Sequence, residues 1–247
     1  MYLSTRALVI RSVPYRDADC ILTVLSDKLG RATVKARGVM RKSSPLSSAC
    51  QLFCCSDMVL FEKDGRYTLN EAHITEQFEG LRRDLGSMAL ASYFAEVLAS
   101  EEEDTAADSS QLLRLALNCI YALASGRYPH NIVKAAFELR YMTLSGYEPD
   151  LTSCALCGCL LKNGRGVPEK GEIYCFECAP RYGIELSEQA VWAGRHFIGC
   201  ELKKLLSVSL TNEDARALAD FSGRYLKSCL ERNFKTLDFY YSLGDIQ

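Results

Sequence analysis

The 247-residue chain has no unbroken apolar stretch of about 18 residues or more, so no membrane-spanning helix is expected. Its opening residues, MYLSTRALVIRSVPYRD, lack both a long apolar core and a small-residue cleavage signal. No export leader is therefore expected, and the protein should stay in the cytoplasm. G-x-x-x-x-G-K-[ST], H-E-x-x-H and G-x-S-x-G are all missing, which argues against a P-loop ATPase, a zincin and an α/β-hydrolase. The three histidines, His73, His130 and His196, lie far apart and do not suggest a catalytic group. Positive charge in bulk is lacking too: at a net charge of −2 the chain is no polybasic nucleic-acid binder by composition. There is no internal repeat and no low-complexity linker.

What the sequence does contain is an uneven distribution of charge over an ample core. Hydrophobic residues make up 48% of the chain, enough for one large or two small domains to bury a core. Residues 1–78 carry 11 Lys and Arg against 8 Asp and Glu, residues 79–150 carry 6 against 11, and residues 151–247 balance at 12 against 12. Any affinity for a polyanion must come from the first segment, through local placement and not net charge.

That first segment reads as strands. Apolar runs at 6–13, 20–26, 31–39, 51–62 and 66–74 are separated by the turns Pro14–Asp17, Asp27–Gly30 and Lys63-Asp64-Gly65. Five short strands in fewer than 80 residues predict a small barrel. The period then changes. Leu90, Tyr93, Phe94, Val97 and Leu98 follow helical spacing, as do Leu112, Leu113, Ala116, Leu117, Ile120 and Leu123. A third helix covers Ile132, Val133, Ala136, Phe137 and Leu139. The acidic stretch Glu101–Asp108 is expected to be a solvated loop or helix end. Further helices are predicted near 187–198 and 212–232, the last opened by a capping box of Thr211 and Asp214. The fold class is thus α+β and multidomain, with a barrel at 1–79 and a helical domain at 80–247.

The most specific chemical signal is Cys154-x-x-Cys157 followed, after seventeen residues, by Cys175-x-x-Cys178. Each C-x-x-C turn presents two sulfurs to one side of an ion, and two such turns complete a tetrahedral thiolate site for zinc. A zinc ribbon-like insert is expected at 150–182, its tight connections helped by Gly158, Gly164, Gly166 and Gly171. Four cysteine ligands leave no open position, which predicts one structural Zn2+ ion. Cys159 is a possible alternate ligand, although its C-x-C spacing to Cys157 fits less well. A zinc deaminase needs His-x-Glu ahead of the cysteine pair, and neither His73 nor His130 provides it. Cys20, Cys50, Cys54, Cys55, Cys119, Cys200 and Cys229 sit mostly in apolar runs and read as small hydrophobes.

From Lys28 to Ser56 there is no acidic residue but six basic ones: Lys28, Arg31, Lys35, Arg37, Arg41 and Lys42. Strand alternation puts Arg31, Thr33, Lys35 and Arg37 on one face and Ala32, Val34 and Ala36 on the other. The basic face, continued by Arg41 and Lys42, suits a phosphate backbone; the bland reading is an ordinary solvated strand face. Arg11 and Arg16 are weaker candidates. Tyr15, Phe53, Phe61 and Tyr67 could stack on bases but fit core or edge packing better.

In their order along the chain these features resemble the RecO family of recombination mediators. ALVIRSVPYRDADCILTVLSDKLGRATVKARGVMRKSS is similar to that family's N-terminal OB-fold with its basic loop. RYTLNEAHITEQFEGLRRDL resembles its passage from barrel to first helix, CALCGCLL with YCFECA its zinc-bearing part, and GRYLKSCL its closing helix. The resemblance implies a non-enzymatic protein that binds single- and double-stranded DNA and anneals complementary strands. It further implies contact with the C-terminal tail of single-stranded DNA-binding protein, loading of RecA together with RecR and in many bacteria RecF, and a nucleoid-associated location. The competing readings are a zinc-ribbon nucleic-acid-binding factor in RNA metabolism or transcription, and a zinc-dependent enzyme acting on nucleic acid.

Overall fold

The computed structural model describes residues 1–100 and 108–244. Strands β1 (Tyr2–Tyr15), β2 (Asp19–Ser26), β3 (Gly30–Ala36), β4 (Cys55–Lys63) and β5 (Arg66–Glu76) close into a barrel in the order β1-β2-β3-β5-β4. All pairs are antiparallel except β3 with β5. This is the five-stranded barrel arrangement of an OB-fold, in which closure leaves no free sheet edge. Alternation sorts the side chains: Cys20, Leu22 and Val24 of β2 and Ala32, Val34 and Ala36 of β3 point inward and are buried with Ala7, Val9, Met58, Leu60 and Leu69.

β1 is longer than its apolar run at 6–13 suggested. Its first half pairs with β4 (Tyr2↔Phe61) and its second with β2 (Tyr15↔Asp19), with a bulge between Val9 and Arg11. A strand serving two neighbours runs beyond the core, and its exposed ends carry no periodic signal. The β4–β5 turn has Asp64 at φ 51 and Gly65 at φ 70, the paired left-handed conformation that a two-residue hairpin requires. β3 ends at Ala36 rather than Val39, and β4 begins at Cys55 rather than Gln51.

The chain divides into two compact units, Met1–Ala124 with the C-terminal segment from Phe234, and Ser125–Asn233. The change from strands to helices near residue 79 is therefore not where these units part. Helices α1 (Leu85–Ala99), α2 (Ser109–Ser125) and α6 (Lys235–Ser242) go with the barrel. α1 packs against β1 and against α6, where Tyr93 meets the Phe234 ring edge-on at 5.5 Å. The α6 N-terminus is fastened by the Glu96 carboxylate, which accepts from the Thr236 amide at 3.0 Å. Of the acidic stretch expected as a loop, residues 101–107 lie outside the described residues; Asp108 caps α2 by accepting from the Ser110 amide at 2.9 Å.

In the second unit, α3 (His130–Leu144) packs against α4 (Glu188–Gly199) and α5 (Asn212–Leu230). Thr211 caps α5 as its sequence predicted, accepting from the Asp214 amide at 3.1 Å. Three short strands, β6 (Gly164–Val167), β7 (Glu172–Tyr174) and β8 (Ile184–Leu186), form an antiparallel sheet in the order β7-β6-β8. At three or four residues each they are too short to show a period of two. Among the described residues no helix is long and apolar enough to cross a membrane.

Candidate metal centre and nucleic-acid interface

The first C-x-x-C turn precedes this small sheet, and the second lies between β7 and β8. Leu151, Cys154, Leu161, Ile173, Leu186, Ala190, Val191 and Phe221 form one core cluster, with Cys175 and Cys178 packed against it. The sheet seats on α5 through glycine: at Gly171, φ is +65 and a Cβ would lie 2.3 Å from the Tyr225 ring. This packing brings the sulfurs of Cys154, Cys157, Cys175 and Cys178 within 4.8 Å of one another. The Cys157 and Cys175 sulfurs are 3.9 Å apart. A tetrahedron with metal–sulfur bonds of about 2.3 Å has edges of about 3.8 Å, so the four thiols fit a metal ion with little movement.

The electrostatics of the cluster agree. The Cys157 amide, helped by those of Cys175 and Leu156, draws the Cys154 thiol down to about 6. The Cys159 amide lowers that of Cys157. Cys178 is pushed up by the adjacent Cys175 sulfur. Four thiolates cannot share this space without a cation, and a dication among them would reverse the penalty. Cys159 stands outside the set of four: its thiol is exposed and pushed up to about 12 by Cys157, while its carbonyl accepts from the Cys154 amide at 2.8 Å. Away from the cluster, burial raises the thiols of Cys50, to about 12, and of Cys54, Cys55 and Cys119. These remain protonated and act as packing residues.

On the barrel, β3 alternates as read from the sequence, yet its outward cations differ in availability. Arg31 is cross-strand partner to Leu25, itself opposite Leu8, and both leucines are buried although they lie on the outward row. Arg31 is half-buried, and its Nε has no hydrogen-bond partner. Lys35 lies 3.1 Å from Asp19 and 5.2 Å from the centroid of the Tyr15 ring. Arg37, Arg41 and Lys42 are exposed, and no carboxylate pairs with them among the described residues. Their loop is tied down at its start, where the Gly38 amide donates to Asp19 at 2.9 Å and the Met40 amide to the Ala18 carbonyl at 3.0 Å. Arg11 and Arg16 are exposed on and just after β1. The basic face is thus present but divided: one member is half-covered, one is ion-paired and the loop members are open.

Of the four aromatics, Phe53 is buried and Tyr67 packs against the barrel core. Phe61 is tilted against Tyr2 at 5.3 Å. Tyr15 alone sits among cations, with the Arg16 guanidinium also 5.2 Å from its ring. The sequence reading passed over Asp19. The signal available for it was its place beside the Pro14–Asp17 turn, which pairs it with Tyr15 in register.

The chain is similar to known proteins along its whole length. Residues 1–78 match the family described as Recombination protein O N terminal, and residues 82–238 match Recombination protein O C terminal. Among curated relatives, the DNA repair protein RecO of Acetivibrio thermocellus is 31% identical over 250 residues, covering 100% of this chain and 99% of its own. That of Alkaliphilus metalliredigens is 26% identical, covering 96% and 98%. That of Desulforamulus reducens is 28% identical, covering 94% and 91%.

Proposed function

This chain belongs to the RecO family, whose role is DNA repair by recombination, and on that footing we propose that it is a mediator that works without a catalytic site. It binds single- and double-stranded DNA and anneals complementary strands. With RecR, and in many bacteria RecF, it helps load RecA onto strands coated by single-stranded DNA-binding protein, whose C-terminal tail it contacts. It works in the cytoplasm at the nucleoid.

The observation that carries this reading is the trio Arg37, Arg41 and Lys42: exposed, uncompensated, and held on an anchored loop at the side of a closed barrel. Two strands approaching one another repel through their phosphates. A surface that neutralises the phosphates of one strand releases counterions and lowers that repulsion, while the bases stay free to search for partners. Lys35 and Arg31 contribute less to this surface, the first because of Asp19 and the second because of burial. Arg11 and Arg16 extend it.

The cysteine cluster holds one zinc ion in a structural role, with Cys154, Cys157, Cys175 and Cys178 as ligands. In such a site binding of the ion supplies folding free energy to the segment that carries it. The support is the donor set and the sulfur spacing.

Annealing of complementary strands precoated with single-stranded DNA-binding protein tests the function. Acceleration by the wild-type chain and its loss in an Arg37→Ala/Arg41→Ala/Lys42→Ala variant are expected. A variant that anneals coated strands as fast as wild type would remove the barrel surface from the mechanism.

A further inference from the structure

Trp192, the only tryptophan of the chain, lies on α4 with 50% of its surface exposed. An indole left in water at the rim of a cleft forgoes a large burial gain, as contact surfaces do. Its plane is already fixed. One face stacks on His196, one helical turn onward, at 5.6 Å between centroids and 22° between planes. His196 is itself held, its Nε2 lying 2.8 Å from the Lys204 carbonyl oxygen and the Phe197 ring meeting it edge-on at 6.1 Å.

The indole borders a cleft of about 300 Å3, lined otherwise by Leu161, Lys162, Glu188, Gln189 and Arg195. That is the lower end of the range for ligand pockets, the size of a nucleotide and not of a folded partner. The Arg195 guanidinium donates to the carbonyls of Leu151 at 2.9 Å and Leu161 at 2.6 Å. Carbonyls hold the group but leave its charge unneutralised, and no carboxylate pairs with it among the described residues. Lys162 is exposed and likewise unpaired there. Glu188 and Gln189 bring hydrogen-bond acceptors and an amide donor to the same cleft. A flat ring, a polar edge and an adjoining negative charge are the three properties this wall would recognise together. A strongly acidic peptide meets Glu188, whereas a base can offer that carboxylate an N–H, the exocyclic amine of adenine, cytosine or guanine or the ring N3–H of thymine.

We infer that this cleft takes one nucleobase of single-stranded DNA, stacked on the open face of Trp192, with Lys162 against the adjoining phosphate. The inference rests on the DNA-binding reading above and adds a second contact, in the compact unit that does not contain the barrel. Stacking of this kind tolerates any base and requires an unpaired one.

Because Trp192 is the sole tryptophan, its emission reports on this cleft alone. The full-length protein is titrated with oligothymidylate, following tryptophan emission and, in parallel, the anisotropy of a fluorescein-labelled copy of the same strand. Emission should be quenched with the midpoint that anisotropy gives, and a duplex, whose bases are already paired, should leave it unchanged. Trp192→Ala should weaken oligothymidylate binding on the order of 10-fold, and Trp192→Phe, which keeps a stacking face, should restore most of it. A strand carrying 5-iodouracil should cross-link to Trp192 in the wild-type chain, a readout independent of how any variant folds. Anisotropy that rises with no change in emission and no cross-link would overturn the inference and leave the barrel reading standing. No rise in anisotropy would overturn both. Quenching by an acidic peptide with an apolar end, in place of oligothymidylate, would assign the cleft to a protein partner and overturn the nucleobase.

Discussion

Asp19 joins two parts of the barrel surface: one carboxylate oxygen lies 3.1 Å from the Lys35 ammonium and the other accepts the Gly38 amide at 2.9 Å. The Gly38 amide first, and Lys35 second, hold the Asp19 carboxyl below its usual range. A depressed carboxyl contributes its stabilisation above the unfolded value, about 3.9, and loses it as the pH falls through the lower folded value. At neutral pH the anchor is therefore fully charged, and this acidic group sits beside the basic residues of β3 and the loop that follows it.

Replacing that group should separate its two effects. In Asp19→Asn, Lys35 gains a free charge while the amide side chain can still accept from Gly38. Oligonucleotide affinity at low salt should rise, and the slope of log affinity against log salt should steepen by about 0.7 to 0.9, the equivalent of one more phosphate contact. Anisotropy titrations across a salt series measure it. An unchanged slope would place Lys35 outside the DNA path.

The same logic ranks the cations themselves. Arg37→Ala should reduce affinity more than Lys35→Ala, because the Lys35 charge is already spent on Asp19 and that of Arg37 is not. Arg31→Ala should act mainly on stability, its guanidinium being half-buried. Thermal melts and salt-dependent binding, measured on each single variant, distinguish the two kinds of loss. Equal binding losses for all three would mean that the whole basic face, and not its open end, holds the strand.

How much of this was legible in the sequence depends on how local each feature is. The four cysteines that could hold a metal ion lie in two four-residue turns, and their spacing alone picks them out. The barrel interior follows from alternation within β2 and β3, which neighbours cannot change. The Lys35–Asp19 pair is another matter: it depends on the β2–β3 register, in which Lys35 pairs with Ile21, two residues from Asp19, and neither strand encodes that register alone. Half-burial of Arg31 depends on the outward row it shares with Leu8 and Leu25 being covered at that end of the barrel. α6 escaped notice because it is eight residues long with one buried side chain, Leu237, and joins a unit whose other members end more than a hundred residues earlier.

Metal removal should act on one unit and spare the other. A chelator, or Cys154→Ser, should unfold the β6–β8 segment while the barrel keeps its structure and its low-salt DNA binding. A cobalt-substituted sample should show the charge-transfer and d–d absorption of tetrahedral thiolate coordination. Loss of barrel structure on chelation would contradict this division.

Asp150 sets the approach to the first knuckle. Its carboxylate accepts from the Thr152 amide at 2.7 Å and from the hydroxyls of Thr152 and Ser153 at 2.6 Å each. Led by the Ser153 hydroxyl, these bonds hold it at about 2. Its contribution is complete above about pH 4 and is lost only as the pH falls through about 2, so the turn is fully formed wherever cysteine binds metal. Asp150→Ala should therefore speed metal release to a chelator at neutral pH, without altering the number of ions bound. Release followed by a colorimetric chelator reads the rate.

The strongest single-site destabilisation should come from a pair with no exposure at all. Lys134 and Glu138 lie on α3 with both side chains fully buried, 2.8 Å apart. The ammonium also donates to the Ala219 carbonyl at 2.7 Å, and the carboxylate accepts from the Ser222 hydroxyl at 2.6 Å. Both partners belong to α5, so the ion pair is hydrogen-bonded across the α3–α5 contact. Gly223 makes room for them, since a Cβ there would lie 2.5 Å from the Lys134 Nζ. Removing one charge leaves the other buried without its counterion, so Glu138→Leu should cost about 3–5 kcal/mol. Lys134→Met/Glu138→Leu removes both charges and should recover much of that loss, while Gly223→Ala should destabilise by displacing the ammonium. Denaturant melts of the single and double variants measure the coupling. A double variant no more stable than the worse single one would mean that the α5 groups, and not the ion pair, set the cost.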